Sequence, residues 1–176
     1  METCIISSPL GYTKIVGDED GISEVTILNT IELSEGETYG LSFQRKLESK
    51  EKITDIIPIE LEDCVIQLQE YFEGNRTAFN LNLNPQGTEF QKKVWNQLDQ
   101  IPYGKTVSYL ELSRQLGDIK AIRAVANANG KNPLWIITPC HRVIGSNGSL
   151  TGYAGGLHRK QWLLEHESPY KQQRLF

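Results

Sequence analysis

A cysteine, a histidine and an arginine stand in consecutive positions in Pro139-Cys140-His141-Arg142-Val143-Ile144, directly after the apolar run Leu134-Trp135-Ile136-Ile137. A thiolate is the strongest nucleophile among ordinary side chains, and neighbouring imidazole or guanidinium groups favour its charged form. Cys140 is therefore the candidate nucleophile and His141 the candidate base. Side chains adjacent in sequence rarely face each other, so a water between them, or a third group orienting the imidazole, is the expected arrangement. The carboxylates of Glu165 and Glu167 are the candidates for that third group. The bland alternative, a buried inert thiol, is the common state of a free cysteine; the flanking His and Arg weigh against it.

The elements that must hold this stretch read as mostly helical. Thr88-Glu89-Phe90-Gln91 has the form of a capping box, and Phe90, Val94, Trp95 and Leu98 fall on one helical face before Pro102 and Gly104 end the segment. Ser108-Tyr109-Leu110-Glu111 is a second box, opening a short helix that ends near Gly117, after which Asp118 caps a helix through Ile122, Arg123 and Val125. Two short helices about a glycine-containing turn resemble a helix-turn-helix. Ala121, Ala124, Ala126, Ala128 and Gly130 would let the second helix approach either a nucleic-acid groove or a neighbouring helix closely. Asn132-Pro133 predicts a fixed turn ahead of a strand leading to Cys140, and Asn147-Gly148 a tight turn after it. Gly152-Tyr153-Ala154-Gly155-Gly156 reads as a mobile loop suited to a pocket wall, and a last helix from Leu157 to Glu167 carries Leu157, Trp162 and Leu163 toward a core.

Upstream, apolar and polar residues alternate around Cys4-Ile5-Ile6, 12–16 and 22–28, separated by Gly11 and the acidic turn Gly17-Asp18-Glu19-Asp20-Gly21. That pattern predicts a small antiparallel sheet. Leu61, Val65, Leu68 and Phe72 recur at helical spacing and Gly74 closes the run. The stretch 80–86 lacks regular signals and is the candidate linker between a domain at 1–86 and another at 87–176; the expected class is α+β.

The chain of 176 residues carries a net charge of −4, but the balance is divided. Residues 1–86 hold 6 basic against 16 acidic side chains and residues 87–176 hold 12 against 6. A basic C-terminal half suits a phosphate-binding surface confined to one domain, although charge bias alone more often marks a solvated face. Cys4, Cys64 and Cys140 lie far apart with no CxxC pair, which argues against a disulfide framework and a zinc site; Cys4 and Cys64 are expected to be structural. No run approaches a membrane span and no secretory signal opens the chain, so a cytoplasmic location is expected.

Gly87-Thr88-Glu89-Phe90-Gln91 with Val94-Trp95, Ile101-Pro102-Tyr103-Gly104, Ser108-Tyr109, Arg123-Ala124-Val125, Asn132-Pro133, the 139–144 motif, Gly152-Tyr153 with Gly155-Gly156-Leu157, and Trp162-Leu163-Leu164 follow in order. In these residues the chain resembles the methylated-DNA–protein-cysteine methyltransferases, the O6-alkylguanine-DNA alkyltransferase family, strongly in the C-terminal half and more loosely in the N-terminal half. The resemblance implies a structural N-terminal domain of ribonuclease H-like roll type and a winged-helix-like C-terminal domain that binds DNA and accepts the alkyl group. It also implies irreversible, stoichiometric transfer from O6-methylguanine, with O4-methylthymine a further candidate substrate, to Cys140. Within it Cys140 is the acceptor, His141 deprotonates it through a water, Glu167 orients His141, and Tyr109 donates to the base and offsets charge on the leaving guanine.

The same resemblance places Arg123 in the base stack in place of an extruded nucleotide and sets Tyr109 against the base; the positive charge of Lys120 and Lys131 and the small side chain of Ala124 make these three further candidates for DNA contact. Asn132 braces the active-site segment, and Trp135, Val143, Tyr153, Ala154, Gly155 and Lys160 belong to the pocket. The implied partner is alkylated double-stranded DNA, entered through the minor groove with the base flipped out, by a monomer needing no cofactor or metal and resident in the nucleus if the source is eukaryotic. Two positions depart from the pattern: Ala126 stands where glycine is common, and Trp135 where smaller residues or proline are usual. Trp135 either packs into the core, the favoured reading, or narrows the pocket. Three other functions compete: a lesion binder of the alkyltransferase-like type, which lacks the cysteine; a Cys-His hydrolase, for which no second His with an orienting partner is recognisable; and a purely structural DNA-binding module.

Overall fold

A computed structural model describes residues 1–28, two short strands at 32–33 and 37–38, and residues 54–170. The chain divides into two compact units, Met1–Gln86 and Gly87–Phe176.

In the first unit, β1 (Glu2–Ser8), β2 (Gly11–Asp18) and β3 (Gly21–Ile27) form an antiparallel sheet in sequence order, and β4 (Glu32–Leu33) pairs with β5 (Glu37–Thr38). Alternate residues reach the core, as a period of two requires: Cys4 and Ile6 on β1, Thr13 and Ile15 on β2, Val25 and Ile27 on β3. Helix α1 (Ile59–Phe72) buries Leu61, Cys64, Val65, Leu68 and Tyr71. The expected stripe ended on Phe72; Tyr71 is the fully buried ring, because residues at steps of three and of four both return to the same helical face.

The candidate linker is tied to this unit. Ile22 N donates to Asn82 O at 2.9 Å, Asn84 N to Ile22 O at 2.8 Å, and the Gln67 amide exchanges two hydrogen bonds with the Asn80 backbone. Gly21, at φ 133°, is required there, since a Cβ would lie 2.7 Å from Asn82 O. The absence of periodicity in 80–84 reflects a segment held by backbone bonds, which leave no hydrophobic signature.

The second unit comprises α2 (Glu89–Leu98), β6 (Val107–Ser108), α3 (Tyr109–Gln115), α4 (Ile122–Gly130), β7 (Val143–Ile144) and α5 (Leu157–Glu167). The Thr88–Gln91 capping box is complete, with both reciprocal bonds formed. Ser108 caps α3 through Glu111 N at 3.0 Å. Asp118 caps a single 3-10 turn ahead of α4 through Lys120 N at 2.9 Å, so the second helix starts three residues later than its cap suggests. Val94, Trp95 and Leu98 join Leu112, Val125, Cys140 and Val143 in one core, and Trp95 Nε1 donates to Ala128 O at 2.9 Å, fixing α2 to α4. Phe90 and Leu157 were expected inside; they are 41% and 47% exposed, because each lies in the first turn of its helix, beyond the packed faces.

The run 134–137 is a turn, where a strand was expected. Thr138 N closes it onto Leu134 O at 2.9 Å, and Ile136 has φ 74°, a backbone conformation that costs a β-branched residue energy. A buried apolar run cannot by itself distinguish strand from turn. What maintains this one is Asn132, whose Nδ2 donates to Thr138 O at 2.8 Å and to Leu134 O at 3.3 Å while its Oδ1 accepts from Leu134 N at 2.9 Å. Downstream, β6 and β7 pair in parallel, Ser108 against Ile144. This short ladder sets Tyr109, the first residue of α3, beside the segment that follows Cys140.

Candidate active site

Cys140 opens a 3-10 turn with His141 and Arg142, and all three are buried. Behind them Glu167, the last residue of α5, accepts from three donors. His141 Nε2 lies 2.7 Å from Oε1, while Arg142 contributes Nε to Oε2 at 2.7 Å and Nη2 to Oε1 at 3.0 Å. Arg142 Nη1 continues to Ile101 O at 2.6 Å. Of the two candidate carboxylates, Glu167 is thus the orienting one; Glu165 accepts from Gln161 on the helix surface.

Burial opposes the charge on Glu167, but the hydrogen bonds and charges of His141 and Arg142 outweigh it and hold the carboxyl at about 2. The ionised carboxylate makes Nε2 of His141 the protonated nitrogen, leaving Nδ1 with a free lone pair and no hydrogen-bond partner among the described residues. Burial lowers the imidazole below its usual range against the pull of Glu167, so it rests neutral and able to take a proton.

Burial pushes the Cys140 thiol up to about 11; the Asn132 side chain, Lys160 and the backbone amides of Cys140 and His141 act in the opposite direction. This corrects the expectation drawn from adjacency. The Arg142 guanidinium is spent on Glu167 and a carbonyl, and the cation that favours the thiolate is Lys160, twenty residues downstream. Lys160 Nζ is buried and donates to Val143 O at 2.6 Å, Thr151 O at 3.1 Å and Gly152 O at 3.4 Å. Burial lowers it to about 8, partly offset by Cys140.

A cleft of about 540 Å³ opens in front of this core, lined among others by Tyr109, Arg123, Asn129, Tyr153 and Ala154. Tyr109 and Tyr153 also pack against the buried cluster that contains Cys140. Burial and then the Cys140 charge raise both the Tyr109 and the Tyr153 phenol. Tyr109 donates to Thr151 O at 3.2 Å. Trp135 is buried, with its ring 5.7 Å from that of Tyr153, and both rings touch Gly155, where a Cβ would come within 2.8 Å of Tyr153 and 3.0 Å of Trp135. Trp135 thus packs directly behind the pocket tyrosine. Lys120, Arg123, Ala124 and Lys131 are exposed along α4 and its flanking turns, and Val143 is fully buried.

Sequence reasoning missed two residues: Arg142 as the clamp on Glu167, and Asn129, a buried amide at the cleft whose only signal was an asparagine within an alanine-rich helix. No cluster of three or more potential metal ligands occurs among the described residues.

Two family models match the chain: the 6-O-methylguanine DNA methyltransferase ribonuclease-like domain over residues 3–85, and the DNA binding domain of the same enzymes over residues 89–169. The chain belongs to the 6-O-methylguanine DNA methyltransferase family. The methylated-DNA–protein-cysteine methyltransferase of Methanosarcina acetivorans is 42% identical over 95% of this chain and 98% of its own length. That of Shigella flexneri is 43% identical over 92% of each. Among solved structures, Mycobacterium tuberculosis O6-methylguanine methyltransferase aligns with TM-score 0.75 and 40% identity over 99% of this chain and 94% of that one. The Mycobacterium tuberculosis OGT structure in complex with DNA gives TM-score 0.77 at 39% identity, covering 95% and 93%. The family's α+β fold, with a small antiparallel sheet in the first part and a helical second part, is the fold found here.

Proposed function

We propose that this protein repairs alkylated DNA by accepting the alkyl group of O6-methylguanine on Cys140, once per molecule and irreversibly. The observation that carries the assignment to Cys140 is the linked arrangement of a buried thiol, an imidazole with one free nitrogen, and a carboxylate held ionised behind it. Nδ1 of His141 takes the thiol proton through a water while Glu167 stabilises the imidazolium that results. Sγ then forms a bond to the alkyl carbon as the carbon–O6 bond breaks, and that bond's electron pair leaves with the guanine. The leaving base regains one proton, which balances the one lost by Cys140. Tyr109 donates to the base as its charge develops.

The alkyl carbon of a paired guanine is inside the duplex, so the nucleotide must leave the stack to meet a buried thiol. Arg123, exposed on α4 at the mouth of the cleft, fills the vacated place. The small side chains Ala124 and Ala126 admit a backbone in the minor groove, and Lys120 and Lys131 neutralise phosphates. Asn132 braces the strained turn; Trp135, Val143, Tyr153, Ala154, Gly155 and Lys160 shape the pocket. Residues 87–176 bind DNA and accept the alkyl group, and residues 1–86 serve a structural role. The protein acts as a monomer without a cofactor, in the cytoplasm, or in the nucleus of a eukaryote; none of the helices among the described residues is long and apolar enough to cross a membrane. O4-methylthymine is a secondary candidate substrate.

Intact-protein and peptide mass spectrometry after incubation with a duplex containing O6-methylguanine tests the assignment. One methyl per molecule on the peptide bearing Cys140 is the expected result; a bound but unmodified protein would overturn it.

A further inference from the structure

The turn Ile101-Pro102-Tyr103-Gly104 closes over the back of the reaction centre. Ile101 O accepts from Arg142 Nη1 at 2.6 Å, and the Tyr103 ring centre lies 5.7 Å from the same guanidinium. Gly104, at φ 73°, comes so close to the end of α5 that a Cβ would lie 2.8 Å from Glu167 O. The turn thus fixes Arg142, and Arg142 holds Glu167 by both oxygens. Its Nε reaches Oε2 at 2.7 Å, and its Nη2 reaches Oε1 at 3.0 Å, the oxygen that also accepts from His141 Nε2.

Glu167 has two tasks of opposite sign. It must hold the Nε2 proton, so that Nδ1 is the open nitrogen, and it must not draw a second proton onto the ring before the thiol offers one. A bare carboxylate buried against an imidazole does both, because an opposite charge at hydrogen-bond distance favours the charged ring. A carboxylate already matched by a guanidinium keeps the hydrogen bond but presents the ring with a nearly neutral pair. We propose that Arg142 is a positioning residue for the proton transfer: it fixes Glu167 and offsets its charge, so that His141 is oriented by the carboxylate and still uncharged when substrate arrives. This rests on the reading of His141 as the base that receives the Cys140 proton. Among the described residues, the other charged or titratable groups around this set are the Cys140 thiol, Lys160 of α5, which opposes a second proton on His141 as Arg142 does, and Tyr103. Asp99 at the end of α2 completes them; loss of solvent raises its carboxyl to about 6 against the pull of Thr138 and Arg142.

Two variants separate the charge of Arg142 from its hydrogen bonds. Arg142→Gln keeps an N–H donor for Glu167 and loses the charge, whereas Arg142→Lys keeps the charge and loses the two-pronged contact. Single-turnover methylation of Cys140 by free O6-methylguanine is to be followed by mass spectrometry as a function of pH. Arg142→Gln should be about tenfold slower than the native protein at about pH 6 and approach it by about pH 8, because its ring protonates at higher pH. Arg142→Lys should be slower by one constant factor and retain the native acid limb. A glutamine profile parallel to the native one, or a lysine profile displaced as far as the glutamine one, overturns the proposal, since lost packing alone lowers the rate equally at every pH. Asp99→Asn should leave the native limb in place; a displaced limb would assign it to Asp99 and equally overturn the proposal. Should neither Arg142 variant fold, NMR titration of the His141 ring in the native protein takes their place: a ring that stays neutral as pH falls through an ordinary imidazole's 6.5 supports the proposal, and a ring already charged at neutral pH overturns it. Absence of transfer from O6-methylguanine to Cys140 in the native protein would instead overturn the underlying reading of the site, and the ring titration, which involves no transfer, tells the two failures apart.

Discussion

The N-terminal unit buries Cys4 on β1 and Cys64 on α1, and the C-terminal unit buries Cys140; by exposure, at 1%, 0% and 4%, the three thiols are indistinguishable. Burial also raises all three, to about 11, 12 and 11. What separates them is the surroundings. Among the described residues, Asp63 and the Cys4 thiol when ionised push Cys64 further up, whereas Cys140 has an amide, a lysine and two backbone N–H groups that favour its thiolate. It also has a neutral imidazole nearby with an open nitrogen. A reactive cysteine is thus defined less by its resting proton affinity than by what is arranged to receive the proton and hold the charge.

The most direct way to break this comparison is to exchange the thiols. Cys140→Ser should abolish methyl transfer while leaving affinity for duplex DNA largely unchanged, because a hydroxyl is a far weaker nucleophile than a thiol. Cys4→Ala and Cys64→Ala should transfer a full equivalent of methyl and show only the modest stability loss of a shortened core side chain. Transfer surviving in Cys140→Ser, by mass spectrometry, would remove Cys140 from the reaction.

Glu167 is the group that most separates the two cores, since the N-terminal core contains no buried carboxylate among the described residues. Glu167→Ala leaves Arg142 buried without its counter-charge and should cost about 3–5 kcal/mol in denaturant unfolding, along with most of the transfer rate. Its pH dependence has a definite sign. The folded state holds Glu167 down at about 2 from an ordinary 4.5 and His141 below 6.5, so the unfolded chain binds the extra protons. Stability is therefore present above these ordinary values and declines as pH falls, first below 6.5 and then from 4.5 toward 2. The Glu167→Ala variant should show a flatter acid limb; an unchanged slope would mean that other carboxylates carry the dependence.

Arg123→Ala sharpens the comparison on the other side, between the buried reaction centre and the exposed face that brings DNA to it. Extruding a paired nucleotide costs a few kcal/mol, so transfer from duplex O6-methylguanine should slow on the order of ten- to a hundredfold, while reaction with the free alkylated base should stay near the native rate. Equal losses on both would take Arg123 out of extrusion.

How much of this was visible in the sequence depended on the range of the interaction. The Thr88 and Ser108 caps, the α1 stripe and the hairpins are set by residues within four positions of one another, and local pattern finds them. Cys140 and His141 were legible from their types, and Glu167 was one of two carboxylates named. Adjacency misled over Arg142: its guanidinium turns away from the thiol to Glu167, twenty-five residues distant, and no local rule predicts that. The turn at 134–137 was hidden because buried strands and buried turns are equally apolar; only the positive φ of Ile136 and the Asn132 bonds reveal it. Asn129 escaped notice because it stands out by a buried oxygen with no partner among the described residues, a property that exists only once the chain has folded.

Lys160 provides the finest test of what distinguishes Cys140, since among the described residues it is the side-chain cation that favours the thiolate, and none of them plays that part at Cys4 or Cys64. Lys160→Met retains the stem and removes the charge, so the thiol should rise further and transfer near neutral pH should slow on the order of tenfold. The shape of the profile adds a second reading. In the native protein rising pH increases the thiolate fraction, but above about 8 Lys160 itself loses its proton and with it the attraction that favours that thiolate. The native rate should therefore flatten above about 8, whereas the variant, having no lysine left to titrate, should continue to rise. Parallel profiles in the two proteins, recorded as single-turnover rates on free alkylated base so that DNA binding does not enter, would show that Lys160 acts only by holding the Val143, Thr151 and Gly152 carbonyls in place.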